Sequence, residues 1–177
     1  MATPPVFVAG EILTAAQMNA VGLWETKSQT IGTTVSSVTV TDAFTSDFSN
    51  YRIIISGGVA STSSNISMTL TGIAGAFIYR QAGFYQSWGT ATITAYAADG
   101  ASWIVGQGTT DGWYSIIDIT SPNLALRKFA TINAGGTTTN YVLPSTCTTA
   151  TASTGFTITP GSGTLTGGVI SVYGYNK

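Results

Sequence analysis

From residue 30 onward the chain alternates apolar with polar or small side chains, the two-residue period of a half-buried strand. The runs "TTVSSVTVT" (residues 33–41), "YRIIIS" (51–56), "NISMTLT" (65–71), "TATITAYA" (90–97) and "GVISVYGY" (168–175) carry the period most clearly and are rich in β-branched side chains. "AFIYRQAGF", "ASWIV", "WYSIIDIT", "KFATIN", "NYVLP" and "GFTITP" follow it less regularly. Turn clusters such as "SGG", "ADG", "TDG", "SPN", "NAGG" and "PGSG" separate the runs at intervals of roughly ten residues. About nine to eleven short strands at that spacing predict an all-β fold, an antiparallel β-sandwich of jelly-roll type. "SPNLALRKFA" reads as entry into a strand, and the Thr- and Gly-rich stretch over residues 135–154 predicts an exposed, polar pair of strands. No repeat of fixed period stands out, which disfavours a solenoid or a propeller.

The first residues follow another pattern. In "GEILTAAQMNAVG" (residues 10–22), Thr14 is placed to cap a helix, Gln17 completes a capping box, Leu13 and Met18 form a hydrophobic staple, and Gly22 is a stop. Such a helix has about two turns, too few for stability in water on its own, so it predicts a docked element. The chain therefore divides into an arm over residues 1–27, a short N-terminal helical anchor, and a β-sandwich body over residues 28–177.

Composition sharpens this picture. Only 7% of the 177 residues are charged, whereas Ser and Thr together supply 49; ordinary soluble domains carry about 25% charged residues. A surface of neutral hydroxyls has little charge repulsion to hold copies apart, so a homo-oligomer is the expected state. The net charge of −1, with six scattered basic residues, supplies no patch for phosphates, and nucleic acid is not an expected partner. No apolar run approaches the ~20 residues of a membrane span, and the N-terminus lacks the basic start of a signal peptide. Synthesis in a cytoplasm without membrane insertion is the expectation.

The single cysteine, Cys147, permits no internal disulfide and reads as a half-buried, inert thiol. The chain has no histidine, which removes Ser-His-Asp and Cys-His catalysis and every His-ligated metal. "GQGTTDG" (residues 106–112) fits neither a dinucleotide nor a P-loop fingerprint and reads as a hairpin loop. Asp99, Asp111 and Asp118 leave a two-carboxylate glycosidase formally open. Yet Asp99 and Asp111 each precede a turn glycine, and Asp118 alternates with Ile117 and Ile119. No catalytic, metal or cofactor site is expected.

The aromatics are the remaining candidates for chemistry. Tyr85, Trp88, Trp103 and Trp113 fall in or beside loops and are candidates to contact a glycan, since sugar sites combine aromatic faces with neutral hydrogen-bonding groups. The alternative is a place in the core or a subunit interface. Trp24, directly after the arm, belongs to the docking surface or to the hinge into the body.

"FVAGEILTAAQMNAVG" (residues 7–22) resembles the opening of many tailed-bacteriophage virion proteins of tail-fibre and minor-tail type. "FTSDFSNYRIIISG" (44–57) and "GGVISVYGYNK" (167–177) are similar to the strands that bracket the distal sandwich domain of such proteins. The resemblance implies a non-enzymatic structural protein of a phage virion, assembled in the host cytoplasm. It implies a trimer anchored to a neighbouring virion protein by the arm, with Phe7, Ile12, Leu13, Met18 and Trp24 as the attachment interface. A capsid decoration or cement protein, clamped over the head by the same arm, is the alternative.

Overall fold

The computed structural model describes residues 9, 10, 12 and 22–175. The expected N-terminal helix, with Phe7, Leu13 and Met18, lies outside the described residues. Thirteen strands follow in order: β1 (Trp24–Thr30), β2 (Val38–Val40), β3 (Asn50–Ala60), β4 (Ser64–Leu70), β5 (Tyr79–Ser87), β6 (Ile93–Gly100), β7 (Trp103–Gly108), β8 (Trp113–Thr120), β9 (Lys128–Gly136), β10 (Thr139–Cys147), β11 (Phe156–Pro160), β12 (Leu165–Thr166) and β13 (Val169–Tyr175). The larger sheet runs β1-β13-β3-β8-β9-β10-β5-β6, with β12 on the far end of β3, and the smaller runs β2-β11-β4-β7. Every strand pair is antiparallel. Among the described residues all regular structure is strand, as a β-sandwich requires.

The period-two pattern explains the core. Along β3, Tyr51, Ile53 and Ile55 point inward and are fully buried, while Arg52 and Ile54 lie on the other face. They join Ile117 and Ile119 of β8 and Ile170 and Val172 of β13 in one cluster with Ile66, Met68 and Leu70 of β4 and Phe156 and Ile158 of β11. Each such side chain contributes roughly 1.5–3 kcal/mol by leaving water. At the end of this run β3 bulges against β8 between Ile55 and Gly58. Gly57, with φ 75°, takes the conformation that a side chain would disfavour there.

Polar groups under the loops are bonded to backbone. The Tyr51 hydroxyl donates to the Thr45 carbonyl at 2.6 Å, and Asn123 Nδ2 donates to the carbonyls of Phe48, at 2.9 Å, and Thr45. Lys128 has no exposed surface; its ammonium donates to the carbonyls of Leu124 at 2.9 Å, Leu126 at 2.5 Å, and Thr151. This cation ties the loop ahead of β9 to the strandless segment after β10.

Two expectations are corrected here. The stretch 135–154 is not an exposed polar pair: β10 turns Tyr141, Leu143, Ser145 and Cys147 into the core, and residues 148–155 form no strand. Cys147 is therefore fully buried. The arm boundary drawn after Lys27 falls inside β1, whose register with β13 already begins at Trp24 opposite Gly174.

Buried tyrosines make alkaline pH a probe of this packing. Tyr79, 1% exposed, accepts from the Leu70 amide at 2.8 Å and donates to the Ile73 carbonyl at 3.3 Å. Burial pushes its pKa up to about 12, and raises Tyr51, Tyr96, Tyr141 and Tyr175 as well. Because the folded pKa lies above the unfolded one, the contribution is complete below about pH 10 and is lost as the unfolded chain ionises first. Tyr79 alone should remove roughly 2–3 kcal/mol between pH 10 and 12. Denaturant midpoints measured from pH 9 to 12 should fall steadily, and less steeply for Tyr79→Phe; a flat profile would contradict the burial.

Candidate interaction surface

Of the two places left open for Trp103 and Trp113, both take the core. Each opens a strand directly after a turn, and the pleat sends both inward. Trp103 is fully buried, donates Nε1 to the Thr146 carbonyl at 3.2 Å and meets Tyr79 edge to face at 5.2 Å. Trp113 is 4% exposed beneath Gly58 and Gly106. Neither presents an open ring face to solvent.

Trp88 behaves otherwise. It follows β5 in the β5–β6 turn, is 63% exposed, and its Nε1 donates to the Gly136 carbonyl at 3.0 Å. That bond holds the indole in place while leaving its surface open, the condition for stacking on a ligand. Tyr85 is half-buried in a row with Tyr96, at 6.5 Å, and Tyr141, at 5.9 Å. Tyr96 stands opposite Gly83, where an added Cβ would collide with the Val142 carbonyl, so that glycine's bare backbone is what lets the strands approach.

Of the attachment residues, Ile12 is 89% exposed. Trp24 is half-buried against the protein's own core.

The three aspartates do not converge. Asp118 accepts from Arg52 through two bonds of 2.8 Å and from the Tyr175 hydroxyl at 3.3 Å, which raises the Arg52 pKa further. Asp99 lies 3.6 Å from Arg80 on the outer face of β6 and β5. Four strand spacings separate β8 from β6, roughly 19 Å, about twice the widest gap between the acids of a glycosidase. Asp111 stays in the β7–β8 turn. Among the described residues no group of three metal-ligating side chains occurs.

What the structure does assemble was not singled out from sequence. The outer face of β10, β5 and β6 is apolar, with Val142 and Pro144, Ala82 and Phe84, and Ile93, Ala95 and Ala97 in register, and Phe129 of β9 beside them. Phe84, Ile93 and Phe129 are 44%, 63% and 58% exposed. A shallow hollow of about 740 Å³ opens there between Phe129, Pro144 and the Arg80–Asp99 pair. Exposed apolar surface of this kind marks a contact site.

The sheet edges also differ. β1 is broken by a bulge between the charged Glu25 and Lys27, β2 has three residues, and the pairing of β7 with β4 is bulged. β6 has eight residues in unbroken register with β5, no proline or lysine, and Asp99 as its one charge. The sequence signal was available: "TATITAYA" places small side chains on both faces, which suits an overhanging edge better than a half-buried strand. No protein-family model, no curated protein and no solved structure matches this chain.

Proposed function

We propose that this chain is a non-enzymatic structural protein of a tailed-phage virion, tail-fibre or baseplate-associated, attached by its N-terminal arm and self-assembled through its β body. The observation that carries the reading is the phage-like motif over residues 7–22 leading directly into β1, an edge strand of a nearly uncharged β body. Exposed apolar surface on the outer face supports an assembled state.

The strand order supports the jelly-roll reading. β1-β13-β3-β8 and β2-β11-β4-β7 are the two four-stranded sheets of a folded ribbon, in which β1 with β13, β2 with β11, β3 with β8 and β4 with β7 are neighbours. The pairs β5–β6 and β9–β10 are insertions that widen one sheet, and they carry Trp88, the hollow and the open edge. A trimer is the assembly that the resemblance implies.

Host contact is assigned to Trp88, with Tyr85 behind it; several weak sites on one rigid assembly would add up through avidity. Trp88→Ala should leave the unfolding midpoint unchanged and reduce adsorption of particles to host cells at least tenfold. Unchanged adsorption would remove host contact from this residue. The chain should also band with tailed particles in a density gradient; recovery only in the free-protein fractions would overturn the virion reading.

A further inference from the structure

From the contrast between the four sheet edges, we infer that β6 pairs with β6 of a second copy, antiparallel about a two-fold axis through Ala97. The inference extends the self-assembly proposed above and names its seam. Natural sheets protect edges with charge, proline, bulges or shortness. β1, β2 and β7 carry such devices, and β6 has neither proline nor bulge over eight residues, its one charge, Asp99, lying beside Arg80 of its own sheet. Its side chains are exposed or half-exposed throughout, so nothing among the described residues covers it.

The occupant follows from the strand's own complementarity. Side chains in a strand alternate faces, so two copies pair face to matching face only in registers that join residues of equal parity. Centred on Ala97, the pairing sets Tyr96 against Ala98, Ala95 against Asp99 and Thr94 against Gly100: each larger side chain meets a small one, and no like charges oppose. Shifting the centre to Tyr96 stacks tyrosine on tyrosine and puts Ile93 against Asp99. The Ala97 register also brings Ile93, 63% exposed, beside the partner's Ala101, shielding part of the outer apolar face. The edge overhangs: β7, the nearest strand of the smaller sheet, packs chiefly over β9 and β8 and only lightly over β10 and β5, which sets the smaller sheet back from the seam. Such a contact is isologous and yields even-numbered assemblies, a dimer or two trimers joined across their edges.

Cysteine cross-linking of the full chain tests the register, because Cys147 is buried and silent. Residues directly opposite in an antiparallel pair lie about 4.5–5.5 Å apart, within disulfide reach. Ala97→Cys should give a species of twice the chain mass on a non-reducing gel after mild oxidation, and Ala95→Cys, offset from itself, at most a tenth as much. Ala97→Lys should halve the assembly's mass by light scattering, and mixing it with Ala97→Glu should restore it. A monomeric wild-type chain would overturn both the seam and self-assembly. An assembly of odd number, or one that Ala97→Cys fails to cross-link and Ala97→Lys leaves intact, would overturn the seam alone.

Discussion

Lys128→Met is expected to lower the thermal unfolding midpoint by roughly 6–12 °C. Methionine matches the lysine stem closely enough that no large cavity forms, so the cost comes from the carbonyls of Leu124, Leu126 and Thr151, which lose the buried ammonium as their common donor. Each orphaned acceptor costs about 1 kcal/mol or more, and a domain of this size loses about 2–4 °C per kcal/mol. Burial lowers the Lys128 pKa, yet three acceptors around one ammonium make the charged form the one that fits. Circular dichroism during heating checks it. A shift under about 2 °C would mean that the carbonyls find other partners and that the cation is not what joins the two loops.

Deletion of residues 1–23 is expected to abolish incorporation into particles while the body stays folded. β1 begins at Trp24 and pairs with β13 along its length, so the truncation leaves every described strand intact. The described arm residues Ala9, Gly10 and Ile12 are exposed, which leaves the apolar side chain of Ile12 free for a neighbouring protein. The truncated chain should unfold at the wild-type midpoint and be absent from purified particles. Normal incorporation would transfer attachment to the body and end the anchor proposal.

Particular residues show how far the sequence reaches. Tyr51, Ile53 and Ile55 announce their strand because three large apolar side chains share one face while Arg52 and Ser56 mark the other, where Ile54 alone breaks the alternation. Asp118 could likewise be turned outward from its two isoleucine neighbours, and Arg52 receives it there. Trp103 and Trp113 resisted the same treatment: each stands at the first position after a turn, where a shift of one residue in the strand's start reverses its face. Lys128 gave no sign at all, since lysine is ordinarily exposed and its acceptors come from backbone positions that sequence does not mark. The seam at β6 was hidden for a related reason. Alternation reveals a buried face, but an edge is defined by which strand lies next to it, and that follows from the long-range order of the sheet.

Gold-labelled antibody against this chain, applied to intact particles and viewed by electron microscopy, tests the central claim most directly. The account predicts gold at the tail, at the baseplate or along fibres. Gold spread over the head would contradict the tail assignment and make the arm a clamp of a capsid decoration protein, and particles without gold would contradict the virion proposal itself.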